Sequence, residues 1–197
     1  MGGSFDPFHY GHLAILHAIK KLSSIQEIQL MPTYLSPFKA HAQPVANHHR
    51  LSMLNLVVDN ESYCTINTME IDKFEVSFTY ETVKALQILL PQDQFFWVIG
   101  SDNFWQLHLW KRINTLLKSI YFIVINRKEE ATKNYLDYLN EYFPYMDANR
   151  FIFITQSVVS ISSSSIREKV TNRGDISSLV PPYILNYIQT HHLYLER

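Results

Sequence analysis

The segment MGGSFDPFHYGHL at residues 1–13 decides the fold, because it joins flexible glycines to the first turn of a helix. Gly2 and Gly3 permit unusual dihedral angles and a close approach of the backbone to a ligand. His9 and His12 lie three residues apart as the helix begins, so both imidazoles can face one bound group. A helix amino terminus offers N–H donors and a positive dipole end. The segment therefore predicts a phosphate site.

A β-strand is expected before such a turn, because ligands of open α/β sheets bind beyond the carboxyl ends of the strands. Only Met1 precedes the glycines, whereas a typical strand takes about five residues. We therefore expect that the first strand is missing from this chain and that the natural protein starts upstream. Adding a short apolar amino-terminal segment is expected to raise thermal stability and activity.

Beyond this segment, the apolar periodicity predicts helices that alternate with short apolar strands. The predicted helices cover residues 11–22, 46–59, 79–90, 127–142, 163–173 and 182–191, and the predicted strands cover 27–32, 63–69, 94–100, 119–126 and 150–155. Near-continuous apolar strands are typical of a parallel sheet that is covered on both faces. We predict an α/β fold, a doubly wound Rossmann-like parallel sheet with helices on both faces, in a single domain over residues 1–197.

The composition excludes several classes of protein. A formal net charge of −1 provides no overall field for nucleic acid, so any polyanion must be held locally. No apolar run approaches the roughly 18 residues of a membrane span, so no membrane partner is expected. The single cysteine, Cys64, rules out an internal disulfide framework and favours a reducing, cytoplasmic compartment. A homodimer remains compatible with these features.

A second motif, SISSSSIREK, lies at residues 160–169. Its serines supply caps and hydroxyl donors for a helix start, and Arg167 lies one turn inside that helix. A serine run alone is usually only a cap, but together with His9 and His12 it favours a two-part polyphosphate site. No Cys, Asp or Glu cluster completes a tetrahedral zinc site with the two histidines, so no protein-held metal is predicted.

These two motifs carry a resemblance to a known family. GGSFDPFHYGH and ISSSSIRE resemble the two signatures of the HxGH nucleotidyltransferases, and within them the chain resembles the bacterial nicotinate-nucleotide adenylyltransferases nearly end to end. Four further stretches resemble that family: SPFK (36–39), VSFTYETVKAL (76–86), VIGSDNFWQLHLWKRINTLL (98–117) and RGDISSLVPPYILNYIQTHHLY (173–194). Phe38 and Phe78 stand where many members have His and Tyr.

The resemblance implies adenylyl transfer from ATP to nicotinate mononucleotide, which gives deamido-NAD and pyrophosphate, with Mg²⁺ accompanying ATP. The implied catalytic residues are His9, His12 and Arg167. These three are expected to bind ATP together with Gly3, Ser4, Phe5, Gly100, Asp102, Ile161, Ser162 and Ser165. The implied contacts to the mononucleotide are Lys39, Ser77, Phe78, Thr79, Trp110 and Arg127.

Alternatives remain open at several positions and for the whole chain. Trp110 is also compatible with a core tryptophan, Asp102 with a helix cap, and Arg127 with a surface residue. A pantetheine-phosphate adenylyltransferase is the nearest rival, although members of that group usually carry Thr where His9 stands and are shorter. A rival of another class is an impaired, non-catalytic nucleotide-binding module.

Overall fold

The computed structural model describes residues 1–34, 44–126, 132–155 and 161–195. Within them the strands are β1 Gly2–Gly3, β2 Ile28–Pro32, β3 Cys64–Ile66, β4 Phe96–Gly100, β5 Tyr121–Asn126 and β6 Phe151–Thr155. The α-helices are α1 Tyr10–Lys20, α2 Asn47–Asn60, α3 Thr79–Leu89, α4 Ser101–Phe104, α5 Ile113–Ser119, α6 Thr132–Tyr142, α7 Ser163–Thr171 and α8 Pro182–Thr190.

The chain divides into two compact units. The first unit holds residues 2–77 and 158–197, and the second holds residues 78–157 with Met1. Each unit contains one three-stranded parallel sheet with helices, so the predicted α/β class is confirmed. The prediction of a single domain stays a prediction.

The first unit is built on a sheet in the order β1-β2-β3. Gly2 pairs with Met31 on one side of β2, and Ile28 pairs with Cys64 on the other. Because β2 is the central strand, its apolar side chains are mostly buried. The two glycines were expected in a turn after a strand, but they form the short strand β1 themselves. The expectation of an upstream strand segment stays a prediction.

The second unit is built on a sheet in the order β4-β5-β6. The central strand β5 is buried from Phe122 to Asn126. Aromatic side chains fill much of the adjoining core, where Phe104 packs edge-on against Tyr135 with ring centroids 5.0 Å apart. At the carboxyl end of β4, Gly100 leads directly into the short helix α4.

The predicted helices and strands all appear where the structure describes their residues, with differences at the ends. Strand β3 is shorter than predicted because the Asn67 side chain accepts the Met69 N–H at 3.0 Å, which starts a turn. The short helices α4 and α5 were not predicted, since neither spans enough residues to show a helical period. The predicted start of α6, residues 127–131, lies outside the described residues.

Helix α7 ends in a turn with an unusual residue. Arg173 has a left-handed backbone with φ 55°, while its N–H donates to the Val170 carbonyl and the Gly174 N–H donates to the Lys169 carbonyl. This is the Schellman pattern, in which the left-handed position is usually glycine. Here the glycine follows one residue later, where a Cβ would approach the Lys169 carbonyl oxygen to 3.2 Å.

Candidate functional site

His9 and His12 cap the amino terminus of α1 reciprocally. The His9 Nδ1 accepts the backbone N–H of His12, and the His12 Nδ1 accepts the backbone N–H of His9, each at 3.3 Å. Ser or Thr with Glu usually fills these two places. Because both Nδ1 atoms act as acceptors, each neutral ring carries its proton on Nε2. Because of the hydrogen bonds of the helix cap, Nε2 is therefore the donor atom in both rings.

The surrounding aromatic rings hold the two imidazoles in place. His9 is 5% exposed and stacks on His12, with centroids 3.7 Å apart and planes inclined by 22°. On its other sides His12 contacts Phe5 at 5.1 Å and Phe8 at 5.3 Å between ring centroids. Such packing leaves the rings little rotational freedom, so the donors are oriented before any ligand binds.

Gly11, between the two histidines, is required by the His9 ring. A Cβ at this position would lie 2.9 Å from both Cε1 and Nδ1 of His9, which is closer than van der Waals contact allows. Any side chain here would push the imidazole off the helix. The glycine of the motif therefore makes room for the ring that caps the helix.

The loop between β1 and α1, residues 4–9, contains a residue with a strained backbone. Phe5 is fully buried and has a left-handed backbone with φ 47°, which is uncommon for an aromatic residue. Its ring fills the space above Gly3, where a Cβ would approach the ring to 3.3 Å. Packing against Phe5 thus determines the course of this loop.

The serine run forms the amino-terminal cap of α7, as predicted. The Ser162 Oγ accepts the Ser165 N–H at 3.1 Å, and the Ser165 Oγ donates to the Ser162 carbonyl at 2.8 Å. Ser163 donates to the Pro7 carbonyl at 3.0 Å. This last bond joins the start of α7 to the loop before α1, so the two motifs lie together in the first unit.

Arg167 lies against the same loop. Its Nη1 donates to the Asp6 carbonyl at 2.7 Å and lies 3.6 Å from the Asp6 carboxylate, while its Nη2 donates to the Ser164 hydroxyl at 3.3 Å. The side chain is only 15% exposed. Two of the predicted catalytic residues, His9 and His12, are thus joined to Arg167 through the residues of one loop.

Arg50 is an important residue of this region that the sequence reasoning missed. It is fully buried in α2 and donates to the carbonyls of Ser4 at 3.1 Å and Thr33 at 2.7 Å, and to Asn47 at 2.7 Å. Burial lowers the pKa of its guanidinium, against the opposing influence of Asp6. Arg50 braces the loop at Ser4, a predicted ATP contact. Its position three residues before Met53 on the apolar face of α2 was the available signal.

Four of the predicted residues of the second unit lie at the starts of its helices. Gly100 is the N-cap of α4, and Asp102 lies in the first turn of that helix, exposed. Asp102 is not the N-cap of α4 but the acidic residue of its first turn, so the alternative of a capping role stays a prediction. Phe78 is the N-cap of α3, provides no side-chain cap, and is followed by Thr79 as the first helical residue.

Two polar atoms among the predicted substrate contacts are buried without a partner among the described residues. They are the Ser77 hydroxyl oxygen, in the first unit, and the Trp110 Nε1, in the second. Trp110 is partly buried and packs edge-on toward Phe122, so it belongs to the margin of the core rather than its centre. Lys39 and Arg127 lie outside the described residues.

Two features are absent from the part of the chain that the structure describes. No group of three His, Cys, Asp or Glu side chains there lies close enough to hold a metal ion. In the same residues, no helix is both long and apolar enough to cross a bilayer.

Residues 1–169 match the cytidylyltransferase-like family model. A probable nicotinate-nucleotide adenylyltransferase of Oceanobacillus iheyensis is 33% identical over 98% of this chain and 94% of its own length. The chain belongs to the nicotinate-nucleotide adenylyltransferase family. A second probable member, from Geobacillus kaustophilus, is 33% identical over all of this chain and 85% of its own length. The resemblance inferred from the motifs is therefore confirmed.

Solved structures agree with this family membership. The Plasmodium falciparum nicotinic acid mononucleotide adenylyltransferase complexed with NaAD matches with a TM-score of 0.80 and 27% identity. The match covers all of this chain and 96% of that one. The same enzyme complexed with APC matches with a TM-score of 0.79. The Rossmann-like α/β fold predicted from the sequence is thus confirmed.

Proposed function

We propose that this protein transfers the adenylyl group of ATP to nicotinate mononucleotide, producing deamido-NAD and pyrophosphate. The observation that carries the proposal is the reciprocal cap of His9 and His12, because it engages both Nδ1 atoms and leaves Nε2 as the protonated nitrogen of two imidazoles at one helix amino terminus. A dipole end and two fixed donors suit the phosphates of a nucleotide. The relatives from Oceanobacillus iheyensis and Geobacillus kaustophilus are both named as probable enzymes of this reaction.

The chemistry requires stabilisation of charge rather than a protein nucleophile. The phosphate oxygen of nicotinate mononucleotide attacks the α-phosphorus of ATP, and the bond from that phosphorus to the oxygen bridging to the β-phosphate breaks. Because the attacking group is already an anion, no general base is needed. The enzyme must bring two anions together and stabilise the charge on the α-phosphate during in-line displacement. In the proposal His12 acts on the α-phosphate, with His9 beside it.

The second motif supplies the remaining phosphate contacts in this proposal. The amino terminus of α7, capped by Ser162 and Ser165, and the guanidinium of Arg167 would take the β- and γ-phosphates. Ser4 and the backbone N–H groups of its loop would hold further oxygens, beside Gly3 and Phe5. Ile161, Gly100 and Asp102 are the proposed contacts to the adenosine.

Magnesium enters the proposal with ATP, as part of that substrate. The described residues offer no three-ligand cluster for a metal ion, and the Asp6 carboxylate is already occupied by Arg167 and Tyr194. The phosphates and water molecules are thus the proposed ligands of Mg²⁺, which usually keeps several waters. The chemistry it supplies there is neutralisation of phosphate charge.

Selection of the nicotinate ring is proposed to rest on two features. The start of α3 lacks a side-chain cap, so its first N–H groups suit a carboxylate, and Ser77 adds a hydroxyl that has no partner among the described residues. Phe78 and Thr79 belong to this helix start. Trp110 is the proposed stacking partner of the pyridine ring. Lys39 and Arg127 complete the proposed set of contacts.

The deciding experiment measures pyrophosphate release by the purified protein with Mg²⁺ and ATP. Nicotinate mononucleotide, nicotinamide mononucleotide and phosphopantetheine are compared as acceptors. Release with nicotinate mononucleotide, well above the amide, supports the proposal. Release with phosphopantetheine alone would identify a pantetheine-phosphate adenylyltransferase. Binding of ATP without release from any acceptor would identify a non-catalytic nucleotide-binding module.

The proposal also covers the cellular compartment and the oligomeric state of the protein. Its single cysteine, Cys64, is compatible with the reducing cytoplasm, and a net charge of −1 argues against a nucleic-acid partner. Ile88 and Leu89 on α3 are 71% and 65% exposed, which favours a protein contact such as a homodimer. Light scattering on the purified protein tests the oligomeric state.

A further inference from the structure

The carboxylate of Asp6 joins the carboxyl-terminal turn of the chain to the loop before α1. Asp6 is 2% exposed, and the Tyr194 hydroxyl donates to its Oδ1 at 2.8 Å. Its Oδ2 lies 3.6 Å from Nη1 of Arg167, and Nη1 also donates to the Asp6 carbonyl at 2.7 Å. The backbone N–H of Val45 donates to Oδ1 at 3.4 Å. One buried side chain therefore links residues 188 positions apart.

This carboxylate is shared between charged and neutral donors. Arg167 faces it from α7, and the charge of Asp6 partly opposes the burial that lowers the pKa of Arg50 in α2. A buried charge is stabilised only when its oxygens are satisfied by well-placed donors. The Tyr194 hydroxyl satisfies Oδ1 without adding charge, so Asp6 need not turn fully toward either arginine.

Tyr194 is itself held firmly. It is 4% exposed, and its backbone is left-handed with φ 67°, a conformation uncommon for a bulky side chain. Its carbonyl accepts the Thr171 hydroxyl of α7 at 3.0 Å. A residue kept in an unfavourable conformation by its surroundings delivers its hydroxyl to one defined point.

We propose that Tyr194 is a positioning residue for the reaction, acting through Asp6. By holding the Asp6 carboxylate, its hydroxyl keeps the loop before α1 and the Arg167 guanidinium in the arrangement that stabilises the charge of the phosphates in the transition state. The inference rests on the proposed function. Asp6 lies three residues before His9 in the same loop, so a movement of Asp6 displaces the backbone that carries the imidazoles.

The variant Tyr194→Phe removes one hydroxyl and keeps the ring. Without that donor, Asp6 turns toward Arg167, and the loop follows. Misplacement of transition-state contacts by about 1 Å can lower the rate about 100-fold. We expect kcat to fall by at least about tenfold, with KM for both substrates changed less than about twofold, because the lost interaction acts in the transition state.

Tyr187→Phe is the matched control. The Tyr187 hydroxyl lies 3.0 Å from Nδ1 of His49, so this variant also loses one tyrosine hydroxyl contact near the carboxyl terminus. It does not touch the loop before α1, and its kcat should stay within about twofold of the unmodified protein. Circular dichroism melts identify a temperature at which both variants are folded, and kinetics are measured there.

A double-variant cycle then separates positioning from general loosening. Asp6→Ala removes both carboxylate oxygens, and adding Tyr194→Phe to it should lower kcat no further, since the hydroxyl acts only through this carboxylate. Independent, multiplicative losses in the double variant would overturn the inference. An unchanged kcat in Tyr194→Phe, or an equal loss in Tyr187→Phe, would also overturn it.

A readout that needs no turnover keeps this inference distinct from the proposed function. In ¹⁵N-histidine spectra, Tyr194→Phe should shift the imidazole resonances of His9 and His12, whereas Tyr187→Phe should shift those of His49. If the unmodified protein releases no pyrophosphate with any acceptor, the proposed function fails, and these spectra alone decide the positioning. Unchanged His9 and His12 resonances in Tyr194→Phe would refute it.

Discussion

Gly11→Ala is expected to separate the stability of α1 from its function. The added Cβ would lie 2.9 Å from Cε1 and Nδ1 of His9, whereas carbon atoms at optimal separation are about 3.5–4.0 Å apart. The His9 ring must therefore move outward by roughly 0.5–1 Å. That movement lengthens the bond from His9 Nδ1 to the His12 N–H, already 3.3 Å, and disturbs the stack of the two rings.

Gly11→Ala is expected to change the rate far more than the stability. Alanine is favoured over glycine inside a helix by about 1 kcal/mol, which offsets much of the strain from the displaced ring. The change in the free energy of unfolding should therefore be small. The loss of one oriented donor typically costs about 2.7–4 kcal/mol of transition-state stabilisation, equivalent to about 100- to 1,000-fold in kcat.

The assay for Gly11→Ala pairs pyrophosphate release with thermal unfolding. We expect kcat to fall at least about 100-fold while Tm changes by only a few degrees. Ala18→Gly, on the same helix, is the control: it should lower Tm by weakening the helix and leave kcat nearly unchanged. A Gly11→Ala enzyme with kcat within threefold of the unmodified protein would refute the role assigned to the His9 ring.

Three further predictions concern single side chains. His12→Ala should lower kcat by about 100- to 1,000-fold in a folded protein, because it removes the donor proposed to act on the α-phosphate. Arg173→Gly should raise stability by about 1 kcal/mol, or roughly 2–4 °C in Tm, because glycine adopts the left-handed backbone at φ 55° without strain. Burial, with neighbouring His48 and His191, lowers the pKa of His49, so stability should fall as pH drops through about 6.5, and His49→Gln should reduce that fall.

Each of these three predictions has a result that would contradict it. Near-normal turnover by His12→Ala would contradict its assigned role. Arg173→Ala keeps the left-handed strain, so a similar gain in Tm from alanine and glycine would remove the backbone explanation. For His49 the sign follows from linkage, since a lowered pKa in the folded state means that the unfolded chain binds the proton first on acidification. Identical pH profiles of Tm for the unmodified protein and His49→Gln would contradict it.

The sequence by itself determined the features that depend on near neighbours. The helical and strand periods, the Ser162 cap and the spacing of His9 from His12 all arise from residues within about one helical turn or along one strand. Interactions of that range involve residues that are close in the sequence, which is why the fold class and the two motifs were predictable. The ends of helices and strands were less predictable. At Asn67, for example, a turn closed by the side chain shortens β3.

Only the tertiary structure decided which distant groups support those motifs. The sequence places Arg50 on the apolar face of α2, but only the folded first unit shows that its buried guanidinium donates to the carbonyls of Ser4 and Thr33. The Tyr194 hydroxyl and the Asp6 carboxylate are 2.8 Å apart although 188 residues separate them in the sequence, because packing brings the carboxyl-terminal turn onto the loop before α1. Burial forces polar groups to find partners wherever the fold places them, and no local pattern records that choice.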